Sequence, residues 1–177
     1  MAGASGQELE GELQALREVF AYNTFVRKRY LEFLSTLPQE TLLKDRGASH
    51  PSILDIFVHV LNVYKEWFHT YETGKQDLPE AKGLSLSQVK ALEAEMDAYI
   101  GNFMERLRPQ GILESFQFTV GDGEDKGSVI TWSLKGMLWH QAMEELQHRG
   151  EINALLWQED IDPPVTSWYR WEKTLER

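Results

Sequence analysis

Three side chains of this sequence stand where apolar residues belong, and all three are of types that bind metal ions. Glu144 and His148 lie four residues apart in a segment with helical periodicity. On a helix that turns about 100° per residue, Leu134, Met137, Leu138, Ile152, Leu155 and Leu156 fall about 20° to 120° from Glu144. His148 falls at about 40° on the same scale, so both polar groups lie on or beside the buried stripe. His140, one turn earlier, lies nearer the edge. A carboxylate turned toward a core is costly unless it is paired or coordinated. A Glu and a His at i, i+4 set an oxygen and an imidazole nitrogen side by side, as a divalent cation requires of one helix. The alternative for this pair is a Glu–His hydrogen bond at a half-buried edge.

The third residue is His59, in the middle of another periodic segment, with Ile56 and Val63 on its own face and Asn62 and Glu66 one and two turns on. Taken alone, it reads first as a satisfied core histidine. Taken with Glu144 and His148, it completes a set of two histidines and one carboxylate with positions left open for water or substrate. Other polar groups are less pointed. His50 and His69 lie near the ends of the segment that holds His59, and solvation is expected for both. Arg149 stands beside the candidate site, where it would meet an anionic group or simply face solvent. Asn23 and Arg27 interrupt an apolar stripe between Phe20 and Tyr30 and are expected to line the pocket.

Four helices must position these residues. The first runs from about Gln7 to Leu37, with Leu9, Leu13, Leu16, Phe20, Tyr30 and Leu34 three or four apart and Pro38 as the stop. The second starts at the N-cap Ser52 with Asp55 at N3 and closes at Gly74. The third opens on the capping-box spacing Ser85 to Gln88 and ends at Pro109 and Gly111. The fourth runs from Thr131 or Ser133 to Trp157. Before it, Phe116–Val120 and Ser128–Trp132 alternate and flank a Gly-rich, acidic link, the pattern of a β-hairpin. The spacing of an EF-hand is absent from that link. The expected fold is all-α, an up-and-down four-helix bundle with a short β-hairpin before the last helix. It forms one domain over 1–177, with a tail from about 158. Trp168, Tyr169 and Trp171 in the tail predict that it folds back or joins a subunit contact.

Composition narrows the function. The chain has 177 residues, 42% apolar and 26% charged, with 18 Lys+Arg against 28 Asp+Glu for a net charge of −10. An acidic chain without a basic face is not expected to bind nucleic acid. No apolar run reaches the roughly 18–20 residues of a membrane span, and Met1–Gln7 does not read as a leader. No membrane partner and a cytoplasmic location are therefore expected. The absence of cysteine removes disulfides, thiolate–metal sites and thiol nucleophiles together. The chain also has no GxGxxG, Walker loop, GxSxG or HExxH.

Two regions carry a family resemblance. One is Ala21-Tyr22-Asn23, followed by Ser52 through Leu61 around His59. The other is Leu138-Trp139-His140, then Glu144, then His148-Arg149-Gly150-Glu151. In this order and spacing they resemble the DinB/YfiT-like superfamily of metal-binding four-helix bundles, over nearly the whole chain. The resemblance implies a divalent metal ion (nickel, zinc or iron) held by His59, Glu144 and His148. It also implies a small-molecule substrate, with Arg149 and Asn23 as cofactor-binding residues, and a homodimer. Relatives include transferases and isomerases that use a low-molecular-weight thiol such as bacillithiol or mycothiol. Their metal lowers the pKa of the cofactor's thiol, so the protein needs no cysteine of its own. A metal-dependent hydrolase and a non-catalytic, stress-related metal-binding bundle are the alternatives. Two positions depart from the family pattern: Glu144 replaces a histidine and Glu151 a glutamine. A carboxylate at 144 lowers the charge of the site by one unit and favours harder metals.

Overall fold

The computed structural model describes residues 5–176, so the residues before Ser5, part of the stretch read as lacking a leader, lie outside it. Among the described residues there are six α-helices, a 3-10 turn and one two-stranded sheet. The helices are α1 (Gly6–Leu34), α2 (Gln39–Leu43), α3 (Ile53–Thr73), α4 (Leu86–Arg106), α5 (Leu134–Trp157) and α6 (Trp168–Leu175). The strands β1 (Ser115–Thr119) and β2 (Val129–Ser133) pair antiparallel, with Phe116 opposite Trp132 and Phe118 opposite Ile130. The chain is thus mostly helical, with a hairpin before its last long helix, and no helix among the described residues is long and apolar enough to cross a membrane.

Local chemistry sets the boundaries that matter. The Ser52 hydroxyl accepts from the Asp55 amide at 3.2 Å, which starts α3 at Ile53. Gly74 ends it in the left-handed conformation, φ 73°, where a side chain would be strained. The Gly74 carbonyl then accepts from Thr119, tying that end of α3 to the hairpin. Ser85 and Gln88 form the expected capping box of α4. The Ser133 hydroxyl accepts from the Gly136 amide at 3.0 Å and starts α5 directly after β2.

Packing joins these elements around one apolar core. α3 lies against both α4 and α5, and α1 lies against the same two helices. Leu13, Leu16, Leu34, Ile53, Ile56, Leu61, Leu134, Met137, Leu138 and Leu156 are almost wholly buried between them. The hairpin lays Phe118 and Trp132 edge-on against Trp67 of α3, which closes one end of the α3–α5 seam. The tail folds back: Tyr22 of α1 donates to the Thr166 carbonyl at 2.6 Å, and Trp171 is buried against the Tyr22 ring. The helices α2 and α6 are too short to give a long periodic signal. Each is anchored by a single buried side chain, Leu42 and Trp171.

Candidate metal centre

His59 on α3 and Glu144 and His148 on α5 meet across the seam. One donor atom from each lies within 4.8 Å of the other two. The His148 Nε2 is 3.5 Å from a Glu144 carboxylate oxygen, the i, i+4 approach that the spacing predicts. The His59 and His148 rings stand nearly perpendicular, with centroids 4.8 Å apart. His148 is buried, while His59 and Glu144 are half-buried, so the set sits just inside the surface.

An outer layer orients it. His148 Nδ1 lies 3.0 Å from Glu151, whose carboxylate also accepts from the Ser49 amide at 2.8 Å and the Ser49 hydroxyl at 2.7 Å. Glu151 as acceptor places the proton of a neutral His148 on Nδ1 and leaves the Nε2 lone pair facing Glu144 and His59. Burial opposes charge on Glu151, but the hydrogen bonds from Ser49 and His148 outweigh it and hold the carboxyl below its usual range. Burial pushes the His59 imidazole below its ordinary value, and the neighbouring His50 and His148 push it the same way. A neutral imidazole keeps a lone pair available to a cation, so the donor set suits a dication.

His50 corrects the sequence reading. It is not a solvated helix-end residue: it is half-buried, its ring 4.1 Å from that of His59 at 30° and 5.8 Å from that of His148. The cause lies in the loop before α3. The Arg46 amide donates to the Pro51 carbonyl at 2.9 Å, and Ser49 is clamped to Glu151, which folds residues 46–51 over the site. Glu151, one of the two departures from the family pattern, was the available signal. A carboxylate three residues after His148 needs donors, and Ser49 beside His50 supplies them. His69, in contrast, pairs with Asp77 at 2.8 Å near the far end of α3. His140 packs edge-on against Trp67 and Trp132 and stands outside the donor set.

A cleft of about 300 Å³ opens beside His59, lined in part by Lys65, Glu66, Trp67, Glu80 and Asp122. Asn62, pointing from α3 into the following loop, exchanges two hydrogen bonds with the Ala81 backbone at 2.9 and 3.0 Å and fixes that wall. Burial raises the Glu66 carboxyl above its usual range, and the nearby carboxylates add to the effect.

Asn23 and Arg149 each meet partners within the protein. Asn23 is buried, with its amide nitrogen 3.5 Å from both the Tyr64 hydroxyl and the Ala142 carbonyl. Arg149 donates to the Tyr22 hydroxyl at 3.3 Å and lies over that ring. Arg27 belongs to a buried polar group whose other members, Glu93 and Glu145, were missed at the sequence level. It donates to Glu145 at 2.6 Å, and its Nε lies 3.5 Å from Glu93, a charge contact without hydrogen-bond geometry. Tyr64 donates to the same Glu145 oxygen at 2.7 Å.

A mostly helical chain with a His/Glu group between two long helices defines a class of helical protein with a constellation that could hold a metal ion. The model of the DinB family matches residues 10–174, nearly the whole chain, and the chain belongs to that family. No curated protein matches it.

Proposed function

We propose that this protein is a single-domain, up-and-down four-helix bundle that binds a divalent metal ion through His59, Glu144 and His148, and that it uses the ion on a small-molecule substrate. The observation that carries this reading is the convergence of the three donors beside an open cleft. His59 and His148 supply neutral nitrogens, and Glu144 supplies the charge. Glu151 fixes the tautomer of His148. Two imidazoles and one carboxylate suit zinc, nickel or iron(II). When bound, such a dication supplies Lewis acidity, which lowers the pKa of a thiol or water that reaches it.

The reaction class we favour is transfer to or from a low-molecular-weight thiol. The chain has no cysteine, so the sulfur nucleophile comes from outside. The cleft admits a ligand from the His59 side, with Trp67 as an apolar wall and Lys65, Glu66, Glu80 and Asp122 as polar contacts. We also propose a homodimer. Trp171 is used within the chain, but Met143, Leu146 and Trp157 leave apolar surface exposed along α5. Sedimentation at micromolar concentration tests this, and a monomer alone would reject it.

The test of the function is metal analysis of tag-free protein, followed by a thiol-conjugation screen with the loaded chain. The reading expects bound metal, and metal-dependent conjugation that is lost in His59→Ala. A chain that binds zinc, nickel and iron(II) but conjugates no thiol would leave metal binding standing and reject the transferase reading.

A further inference from the structure

The proposed ligand set leaves out the imidazole nearest to it. Resting on the metal-binding reading above, we propose that His50 is a fourth protein ligand to the cation, delivered by the loop that precedes α3. Three observations support it. The first is proximity: the His50 ring lies 4.1 Å from that of His59, tilted by 30°, and 5.8 Å from that of His148. The second is the outer contact. A ligating histidine characteristically engages its other ring nitrogen in a hydrogen bond that fixes its orientation. His148 does so through Glu151, and His50 does so through the Ser49 hydroxyl, 3.0 Å from its Nδ1. In both rings the contact is made by Nδ1 and does not use Nε2. They also share one anchor, because Ser49 donates to the same carboxylate oxygen that lies beside His148.

The third observation is that the loop is held in place. Lys44 and Arg46 both lie within ion-pair distance of Glu159, at 2.5 and 3.5 Å. The Asp45 side chain accepts from the Gly47 amide at 2.9 Å, and Gly47 turns at φ 62°, a conformation that favours glycine. Glu151 and Glu159, both at the C-terminal end of α5 or just beyond it, thus fasten the loop at two points. Chain ordering is costly, and here it places one imidazole against two others. His50 lies outside the set whose donor atoms fall within 4.8 Å, so ligation includes a turn of its ring toward that set. The resulting set is three nitrogens and one oxygen, a complete tetrahedral complement for zinc. An incoming ligand then adds to the coordination or displaces His50, and the loop is the element that yields.

The test uses the full tag-free chain labelled with ¹⁵N-histidine and loaded with zinc. Of the five histidines, three (His50, His59 and His148) are expected to show a zinc-bound ring nitrogen, with His69 and His140 unchanged. Competition against a chelating indicator should show zinc affinity lowered by at least about tenfold in His50→Ala, with His69→Ala unaffected. Two zinc-bound histidines in the wild-type spectrum would overturn the proposal while leaving the three-residue site intact, and this reading does not depend on how the variant folds. Equal affinity of His50→Ala and wild type would overturn it as well. A wild-type chain that binds no zinc would overturn this inference, and one that binds none of zinc, nickel and iron(II) would overturn the metal-binding function with it.

Discussion

Glu144 and Glu145 are neighbours on α5, and their surroundings could hardly differ more. The Glu145 side chain is 4% exposed and is met by an arginine and a tyrosine from two other helices. The Glu144 side chain is 27% exposed, and its ion pair among the described residues is with His148 alone. A buried carboxylate is tolerated when the fold itself supplies the opposite charge. Arg27 does so for Glu145, held charged by Glu145 and Glu93 although burial opposes it. Burial, and then the same carboxylate, raise the Tyr64 hydroxyl far above its usual value, so Tyr64 remains a donor. Glu144 faces imidazoles, which carry lone pairs rather than a fixed charge. One region is closed by the chain's own cation; the other presents donors to a cation from solution. Along α5, then, a carboxylate with a built-in arginine is structural, and the one with histidine neighbours is the one we propose as a ligand.

The contrast can be broken most severely from the structural side. Arg27→Met strands two carboxylates in the core and should destabilise the fold by about 3–5 kcal/mol. Urea unfolding measures this; a loss below 1 kcal/mol would mean that the inner network is not the structural partner described here. On the other side, Glu151→Ala leaves the core intact but removes the group that orients His148. Metal affinity should fall about 10–100-fold with little change in apo stability, as read by chelator competition. His59→Ala should act likewise, sharply lowering metal stoichiometry while shifting apo stability by only about 1 kcal/mol or less. The reverse pattern, a destabilised apo fold with metal retained, would make His59 a core histidine.

The smallest expected effect is a pH slope. Burial raises the Glu93 carboxyl above its ordinary value, and Arg27 only partly opposes this. The folded state therefore holds that proton to higher pH than the unfolded state. The contribution favours folding below the unfolded value and is lost as pH rises through the folded one. Glu93→Gln removes the loss, so its stability relative to wild type should increase as pH rises from about 4.5 toward neutrality. A flat difference across that range would show that Glu93 stays charged beside Arg27.

Periodicity made α1, α3, α4 and α5 legible because each buries a long stripe, and alternation did the same for the hairpin. Capping chemistry located the starts of α3 and α4 at Ser52 and Ser85. His59, Glu144 and His148 stood out because polar groups on a buried face need a reason. His50 did not stand out, because a loop has no face from which a residue can be out of place, and only the tertiary clamp between Ser49 and Glu151 defines its position. The inner network was half legible: Arg27 interrupts a stripe, but its partners Glu93 and Glu145 come from distant helices, and no local pattern joins them.

The central claim, that α3 and α5 present one built site for a divalent ion, is tested most directly by equilibrium dialysis of tag-free protein with zinc, nickel and iron(II). Wild type and His148→Ala should be measured side by side. The account predicts one ion per chain in the wild type and a sharp loss in His148→Ala, with the far-UV circular dichroism of the variant unchanged. Full metal content in His148→Ala, or no bound ion in the wild type with any of the three metals, would contradict it.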